Sequence, residues 1–328
     1  MKVNAGFHTF AHSGYLYTTM LNFLNLTKHL LIAAVITGGL LAGHNPAFGQ
    51  EFRNMKQAED SLSSIVATLN KAETDSLKDI VNDHFYLALQ KALMLPSADD
   101  YPFESLKTLA KIGSDDSKFR IYHWNLPTSD GKKRYFGFLK LLHRKSPVVY
   151  QLRDYSDSIP DPETAILDCN HWFAALYYTA ITGTTAAGKT FYTLLGWSGN
   201  NASITQKVID IVTFDEQDTP RFGLPVFPDF DTISRSRIIF RFSASTSMSL
   251  KYEEQILSTS KKWNAKNREF DTKANTAKMI VCDRLVPLDP QLEGQFQFYI
   301  PAGETYDGFQ FVDGHWHFIR GIETRNRH

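Results

Sequence analysis

The chain has 328 residues and a balanced charge, with 35 basic and 35 acidic side chains. Proteins that bind nucleic acid or anionic membranes usually carry clustered positive charge, so this balance argues against both partners. The two cysteines, Cys169 and Cys282, are too few to form a four-ligand zinc site by themselves. A single disulfide between them and two buried free thiols remain open alternatives.

Residues 1–49 have the composition of a signal peptide that is removed on export. They contain Lys2 and Lys28 but no acidic residue, and an apolar run follows at 30–43. That run is shorter than the roughly 20 residues needed to cross a bilayer. Small residues before Gln50 predict cleavage at that point, although an uncleaved membrane anchor is the alternative and translation could start at Met20. We therefore expect an exported, soluble protein with no membrane span after cleavage.

Residues 50–113 are predicted to be helical. Apolar side chains recur at three- and four-residue steps through 52–69 and 77–89, which places them on one face of each helix. Pro96 ends the second pattern, and a shorter helical piece is predicted at 103–112. The helices form either a layer packed on the following domain or a hairpin that binds a partner.

Residues 114–328 are predicted to form a large, mostly antiparallel β domain, because short aromatic and β-branched runs alternate with turn residues. Asp313 and Gly314 predict a two-residue hairpin turn between the last two strands. The polar stretch 258–278 is predicted to be a surface excursion. The expected fold class is α+β, with one large sheet bent or closed into a barrel-like or sandwich-like domain.

Six segments together resemble a family of exported proteins typical of Bacteroidota that has no assigned activity. These segments are KTFYTLLGWSGN at 189–200, KVID at 207–210, FGLPVF at 222–227, RIIF at 237–240, MSLKY at 248–252 and LEGQFQFY at 292–299. The resemblance spans about 119–325 and implies a Gram-negative periplasm or cell surface. It carries no catalytic residues to this chain.

The residues from Gly183 to Thr190 match the letters of a phosphate-binding loop, G-x-x-x-x-G-K-[ST]. Such a loop needs a helix that begins at its lysine, so that backbone N–H groups face the phosphates. Here the following residues are aromatic and β-branched and predict a strand. The segment is therefore predicted to be a hairpin loop, and nucleotide binding is not expected.

Four aromatic residues are predicted to bind a ligand: Trp124, Trp172, Tyr178 and Trp197. All lie on predicted strands, where alternation leaves some side chains facing outward, and exposed rings suit sugars, peptides and apolar ligands. Packing inside a β-sheet core is the alternative.

His315 and His317 are the candidate metal ligands, because residues two apart on a strand point to the same face. A third ligand could come from His123, His171 or Asp283. The alternative is an exposed histidine pair with Trp316 in the core.

The leading functional prediction is non-catalytic binding of a ligand or partner in the cell envelope, without a cofactor. A hydrolase of envelope material, either metal-dependent or not, is the rival, with His315, His317, Asp168 and His171 near its cleft. A structural envelope component is a third possibility.

Overall fold

We describe the computed structural model over residues 52–199, 201–230, 233–264 and 269–322. The predicted signal peptide at 1–49 lies outside these ranges. From Phe52 onward the chain forms one compact unit. Within the described ranges, no helix is both long and apolar enough to cross a membrane.

Two α-helices, α1 (Met55–Leu69) and α2 (Asp75–Leu93), occupy most of the predicted helical segment. Asn54 and Thr74 cap them, because each side chain accepts a hydrogen bond from a backbone N–H in the first turn. A cap of this kind stabilises a helix by about 1 kcal/mol. The buried faces of both helices share a core cluster with Tyr122 and other side chains of the first β-sheet, so their apolar stripes are covered within the chain itself.

The prediction of a helix at 103–112 is wrong. Phe103, Leu106 and Leu109 are buried, but they lie in two successive turns, each closed by a hydrogen bond from a backbone N–H to the carbonyl three residues earlier. The three-residue spacing of these apolar side chains therefore comes from turns rather than from an α-helix. The chain then enters a strand at Ala110.

The described strands form three antiparallel sheets, which corrects the prediction of one large sheet. Sheet 1 has the order β1-β2-β3-β4, with the strands β1 (Ala110–Gly113), β2 (Phe119–Pro127), β3 (Lys133–Leu141) and β4 (Val148–Arg153). Sheet 2 has the order β5-β6-β7-β8, with β9 also paired to β7. Its strands are β5 (Leu176–Thr184), β6 (Thr190–Ser198), β7 (Ile204–Phe214), β8 (Pro220–Phe222) and β9 (Ile238–Ser243). The coarse assignment to an α+β fold that is mostly antiparallel β is therefore confirmed.

Sheet 3 has the order β10-β11-β12-β13. Its strands are β10 (Leu250–Asn264), β11 (Glu269–Pro287), β12 (Tyr299–Val312) and β13 (His315–Ile322). Residues 258–264 and 269–278 of the polar stretch belong to β10 and β11. These strands pair from Leu250, opposite Cys282, to Asn264, opposite Glu269. Asp313 and Gly314 both have positive φ, at 50° and 83°, which confirms the predicted two-residue turn.

Three core clusters connect these elements. One joins the helices to sheet 1, a second joins sheet 1 to sheet 2, and a third joins sheet 2 to sheet 3. Sheet 2 is therefore buried on both faces. Cys169 lies in the second cluster and Cys282 in the third, and both are free thiols.

Candidate functional site

Two of the four predicted ligand-binding residues belong to the core. Trp172 is fully buried, and its Nε1 donates a 3.0 Å hydrogen bond to the hydroxyl of Tyr177. Trp124 is only 4% exposed, and its Nε1 donates a 2.7 Å hydrogen bond to Asn82 of α2. Because both rings are enclosed and their polar atoms are satisfied, neither side chain is open to a ligand in this conformation.

The other two, Tyr178 and Trp197, are accessible and lie near each other on sheet 2. Trp197 on β6 is directly opposite Lys207 on β7. The Lys207 ammonium lies 4.6 Å from the ring centroid of Tyr178, which is 44% exposed. The pairing of β5 with β6 shifts between Tyr177 and Thr179, so Tyr178 falls at an irregularity that turns it outward while Tyr177 is buried.

A second lysine reaches the same place from sheet 1. The ammonium of Lys133, the first residue of β3, lies 5.1 Å from the ring centroid of Trp197. Lys133, Tyr178, Trp197 and Lys207 thus form one feature, which we call the aromatic–lysine surface. Each of its lysines lies over an aromatic face, a favourable arrangement for a cation.

Neither of these lysines forms an ion pair with a carboxylate among the residues that the structure describes. Burial lowers the pKa of Lys207, because its ammonium loses part of its hydration. An anionic group placed beside these two lysines would replace some of that lost hydration.

A small pocket of about 210 Å³ adjoins Trp197 and Lys133. Its other lining residues are Gly199, Asn201, Thr205, Ala244 and Thr246. Gly199 permits this packing, because a Cβ at that position would lie 2.8 Å from the Lys133 ammonium and 2.9 Å from the Trp197 ring. The backbone N–H of Gly199 donates a 2.7 Å hydrogen bond to the hydroxyl of Tyr135, which holds this turn against β3.

A larger groove of about 990 Å³ is also lined by Lys133, which therefore borders both cavities. The groove runs between α2, the β2–β3 hairpin and the segment that follows β4. Its wall combines aromatic side chains with charges of both signs. The aromatic residues are Tyr86, Tyr135, Phe136 and Tyr155, and the charged ones are Asp75, Asp79, Asp83, Asp130, Asp154, Asp157, Lys132, Lys133, Arg134 and Arg153.

Many of the groove's acidic side chains are already engaged by the protein. Asp79 pairs with Arg134, and Asp75 accepts hydrogen bonds from both the N–H and the hydroxyl of Ser129. These contacts fasten α2 to the β2–β3 hairpin. Arg153 forms no ion pair with the residues that the structure describes. Arg153 and Lys133 are therefore available to bind an anionic ligand in the groove.

Asp154 is a groove carboxyl whose acidity is altered by burial. Burial raises its pKa, since the ionised carboxylate is removed from water. Its Oδ1 accepts hydrogen bonds from the N–H and hydroxyl of Ser156, and its Oδ2 accepts one from the N–H of Tyr135. These three bonds give Asp154 a structural role, because it fixes the end of β4 and the start of β3.

Asp168 and His171 lie close to the groove but do not complete a nucleophilic site. His171 Nδ1 is 2.8 Å from Asp168 Oδ1, and its ring meets that of Tyr155 edge to face. The nearby hydroxyl of Ser156 donates to Asp154 instead of to the imidazole. The arrangement therefore lacks the hydroxyl–imidazole contact that activates a serine.

The structure also locates the remaining predicted features. Gly183 and Thr190 flank a turn between β5 and β6, which confirms the hairpin and leaves no helix start for phosphate binding. Trp316 is 2% exposed, as alternation along β13 predicts, and His315 and His317 are partly exposed on either side of it.

None of the three suggested third metal ligands joins this histidine pair. His123 is fully buried between sheets 1 and 2, with both ring nitrogens hydrogen-bonded to backbone groups. His171 is paired with Asp168, and Asp283 accepts a hydrogen bond from the N–H of Ser249. No group of three or more His, Cys, Asp or Glu side chains in the described part of the chain is placed to hold a metal ion.

Sequence reasoning did not identify Lys133 and Lys207 as site residues. Each is one lysine among many in the sequence. It is a site residue only because its ammonium lies over an aromatic ring. Strand register and sheet packing determine those contacts, and no local motif in the sequence reports them.

The chain matches no family model, no curated protein and no solved structure.

Proposed function

We propose that this protein is a non-catalytic binding protein of the cell envelope that takes an acidic glycan at the aromatic–lysine surface. One observation carries the proposal: two lysine ammoniums, without carboxylate partners among the described residues, lie 5.1 Å and 4.6 Å from the partly exposed ring of Trp197 and the exposed ring of Tyr178. This arrangement offers both planar apolar faces and positive charge.

The charge favours an anionic ligand. A partly buried ammonium has lost hydration, and a carboxylate or sulfate on the ligand would supply a charge-assisted hydrogen bond in its place. Arg153 on the neighbouring groove wall adds a third cation. The aspartates nearest to the β2–β3 hairpin are engaged in ion pairs and hydrogen bonds, so their repulsion of an anion is reduced.

The shape favours a chain of rings over a small ion. The groove, at about 990 Å³, is at the upper end of the usual range for ligand sites, and the small pocket adjoins it at Lys133. Aromatic side chains along both cavities provide faces on which the apolar side of a sugar ring can stack.

The cell-envelope location is part of the proposal. It is supported by the apolar run at 30–43, by the small residues before Gln50 and by the resemblance of 119–325 to exported proteins typical of Bacteroidota.

A hydrolase is the second candidate, favoured by one observation, the raised pKa of Asp154 in the groove. A general acid must reach the leaving group, whereas both oxygens of Asp154 accept hydrogen bonds from Ser156 and Tyr135. We therefore propose that the protein binds its ligand without hydrolysing it.

The test is calorimetric titration of the protein with oligogalacturonate and with a neutral galactose oligomer of the same length. We expect the acidic oligomer to bind more tightly, and added salt to weaken it. Trp197→Ala removes one ring and releases Lys133, so it should weaken binding by roughly tenfold. Lys189→Gln, at an exposed position on the β5–β6 turn, is the control and should leave the affinity unchanged.

Equal affinity for the two oligomers, or binding that Trp197→Ala leaves intact, would refute an acidic glycan at this surface. Release of new reducing ends during incubation, abolished by Asp154→Asn, would establish the hydrolase instead.

A further inference from the structure

His315 and His317 share one face of β13. They flank Trp316, which is 2% exposed and packs into the core between sheets 2 and 3. Because side chains alternate along a strand, the burial of Trp316 sends both imidazoles to the opposite face. Their ring centroids are 6.3 Å apart.

Each imidazole is held through the same ring nitrogen. The Nδ1 of His315 lies 3.1 Å from the backbone carbonyl of Asp313, and the Nδ1 of His317 lies 2.5 Å from the Oδ2 of Asp229. Both partners are acceptors, so in each neutral ring Nδ1 carries the proton and donates it. The lone pair of each ring is then on Nε2.

This is the arrangement by which proteins prepare histidines to bind metals. A carboxylate or carbonyl that accepts from one ring nitrogen fixes the tautomer and orientation and makes the other nitrogen a better ligand. Here Asp229 provides the carboxylate for His317, and Asp313 provides the carbonyl for His315. Two imidazoles with this support are a ligand set that suits copper, nickel and zinc.

We propose that the Nε2 atoms of His315 and His317 bind one divalent transition-metal ion, with Asp229 as the carboxylate that orients His317. The site has two protein ligands, and water or an external ligand completes the coordination. Cu²⁺ binds most tightly among the first-row divalent ions and Mg²⁺ does not bind, because nitrogen ligands follow the Irving–Williams order and magnesium prefers oxygen. The proposal is independent of glycan binding.

The experiment is calorimetric titration of the protein with Cu²⁺, Zn²⁺ and Mg²⁺, together with the electron paramagnetic resonance spectrum of the copper complex. We expect one Cu²⁺ per chain at this site and hyperfine structure from two nitrogen ligands. His315→Ala and His317→Ala should each weaken binding by more than tenfold and remove one nitrogen from the spectrum. Asp229→Asn should weaken binding by about tenfold while both nitrogens stay coordinated.

His171→Ala is the matched control. His171 is also exposed, and its Nδ1 also meets a carboxylate at 2.8 Å, but its ring contact is with Tyr155 and not with a second histidine. This substitution should leave the affinity of the His315 site unchanged. Copper binding that survives both His315→Ala and His317→Ala, or a copper spectrum with a single nitrogen in the unaltered protein, would overturn the proposal. Thermal unfolding of each variant in the absence of metal shows that it is folded.

Discussion

The Nε2 atom of His123 accepts a 2.7 Å hydrogen bond from the backbone N–H of Tyr177, and this contact joins β2 of sheet 1 to β5 of sheet 2. The Nδ1 of the same ring lies 3.1 Å from the carbonyl of Ala110 and donates to it. The buried imidazole is therefore neutral in the folded protein, with one nitrogen donating and the other accepting.

This contact predicts a loss of stability in mild acid. Burial lowers the pKa of His123 from 6.5 to about 4. Between those values the unfolded chain binds a proton that the folded chain does not, so the free energy of unfolding falls as the pH decreases. The pKa difference at His123 lowers the free energy of unfolding by about 3 kcal/mol in total. This loss is absent above pH 6.5 and complete by about pH 4. Urea unfolding at a series of pH values measures it.

Other groups also titrate in this range, so a variant is needed to isolate His123. His123→Gln replaces the imidazole by a side chain that does not titrate. The variant should be less stable at pH 7 and should show a shallower dependence of stability on pH between 4 and 6.5. An unchanged slope would mean that His123 does not carry the effect.

The two cysteines should be unreactive in the folded protein. Burial raises the pKa of Cys169 to about 12 and also raises that of Cys282, so neither forms appreciable thiolate at pH 8. We expect a thiol reagent to label no cysteine in the native state and two in the protein unfolded by guanidinium without reductant. Absence of labelling after unfolding would instead indicate a disulfide between Cys169 and Cys282.

Local chemistry made part of the fold predictable. Asp313 and Gly314 both adopt positive φ, so these two residues alone predict the turn before β13. The burial of Trp316 between two partly exposed histidines is predicted by the alternation of side chains along a strand. The caps of α1 and α2 are similarly local. The turns at 104–109 misled the prediction because their apolar side chains repeat at a spacing that an α-helix also produces.

The division of aromatic residues between core and site was not predictable in this way. Sheet 1 is covered on one face by the helices and on the other by sheet 2, so Trp124 is buried although alternation could have left it exposed. Tyr178 is exposed because of an irregularity in the pairing of β5 with β6. Both outcomes depend on how distant segments pack, which the local sequence pattern does not specify.

The buried pair of Asp210 and Arg237 provides a test of how sheet 2 is held together. Both side chains are fully buried, and Asp210 also accepts a 2.9 Å hydrogen bond from the hydroxyl of Tyr177. Removing one partner leaves an uncompensated buried charge, so Arg237→Met should lower the free energy of unfolding by about 3–5 kcal/mol. The double variant Arg237→Met with Asp210→Asn should be more stable than Arg237→Met alone, as measured by urea unfolding. Additive losses would show that the two charges are not coupled.

Gly199 offers a way to disturb the aromatic–lysine surface without removing any of its side chains. Gly199→Ala places a methyl group 2.8 Å from the Lys133 ammonium and 2.9 Å from the Trp197 ring, so the lysine must move. We expect weaker binding of oligogalacturonate and an altered tryptophan fluorescence spectrum, with a stability loss of about 1–3 kcal/mol. Gly113→Ala is the control, because its added methyl meets its nearest neighbour at an ordinary 3.4 Å. If Gly199→Ala bound oligogalacturonate with unaltered affinity, ligand binding would not depend on the Lys133–Trp197 contact.

Trp124 and Trp197 should respond in opposite ways to the same substitution. Trp124→Phe removes the indole N–H that bonds Asn82 and leaves a buried amide oxygen unsatisfied, so the free energy of unfolding should fall by about 1–3 kcal/mol while ligand affinity is unchanged. Trp197→Phe keeps an aromatic face of smaller area at a partly exposed position, so stability should change by less than about 0.5 kcal/mol while affinity for oligogalacturonate falls. Paired unfolding and titration measurements on the two variants distinguish the roles. A loss of affinity in Trp124→Phe, with none in Trp197→Phe, would place the ligand near α2 and away from the aromatic–lysine surface.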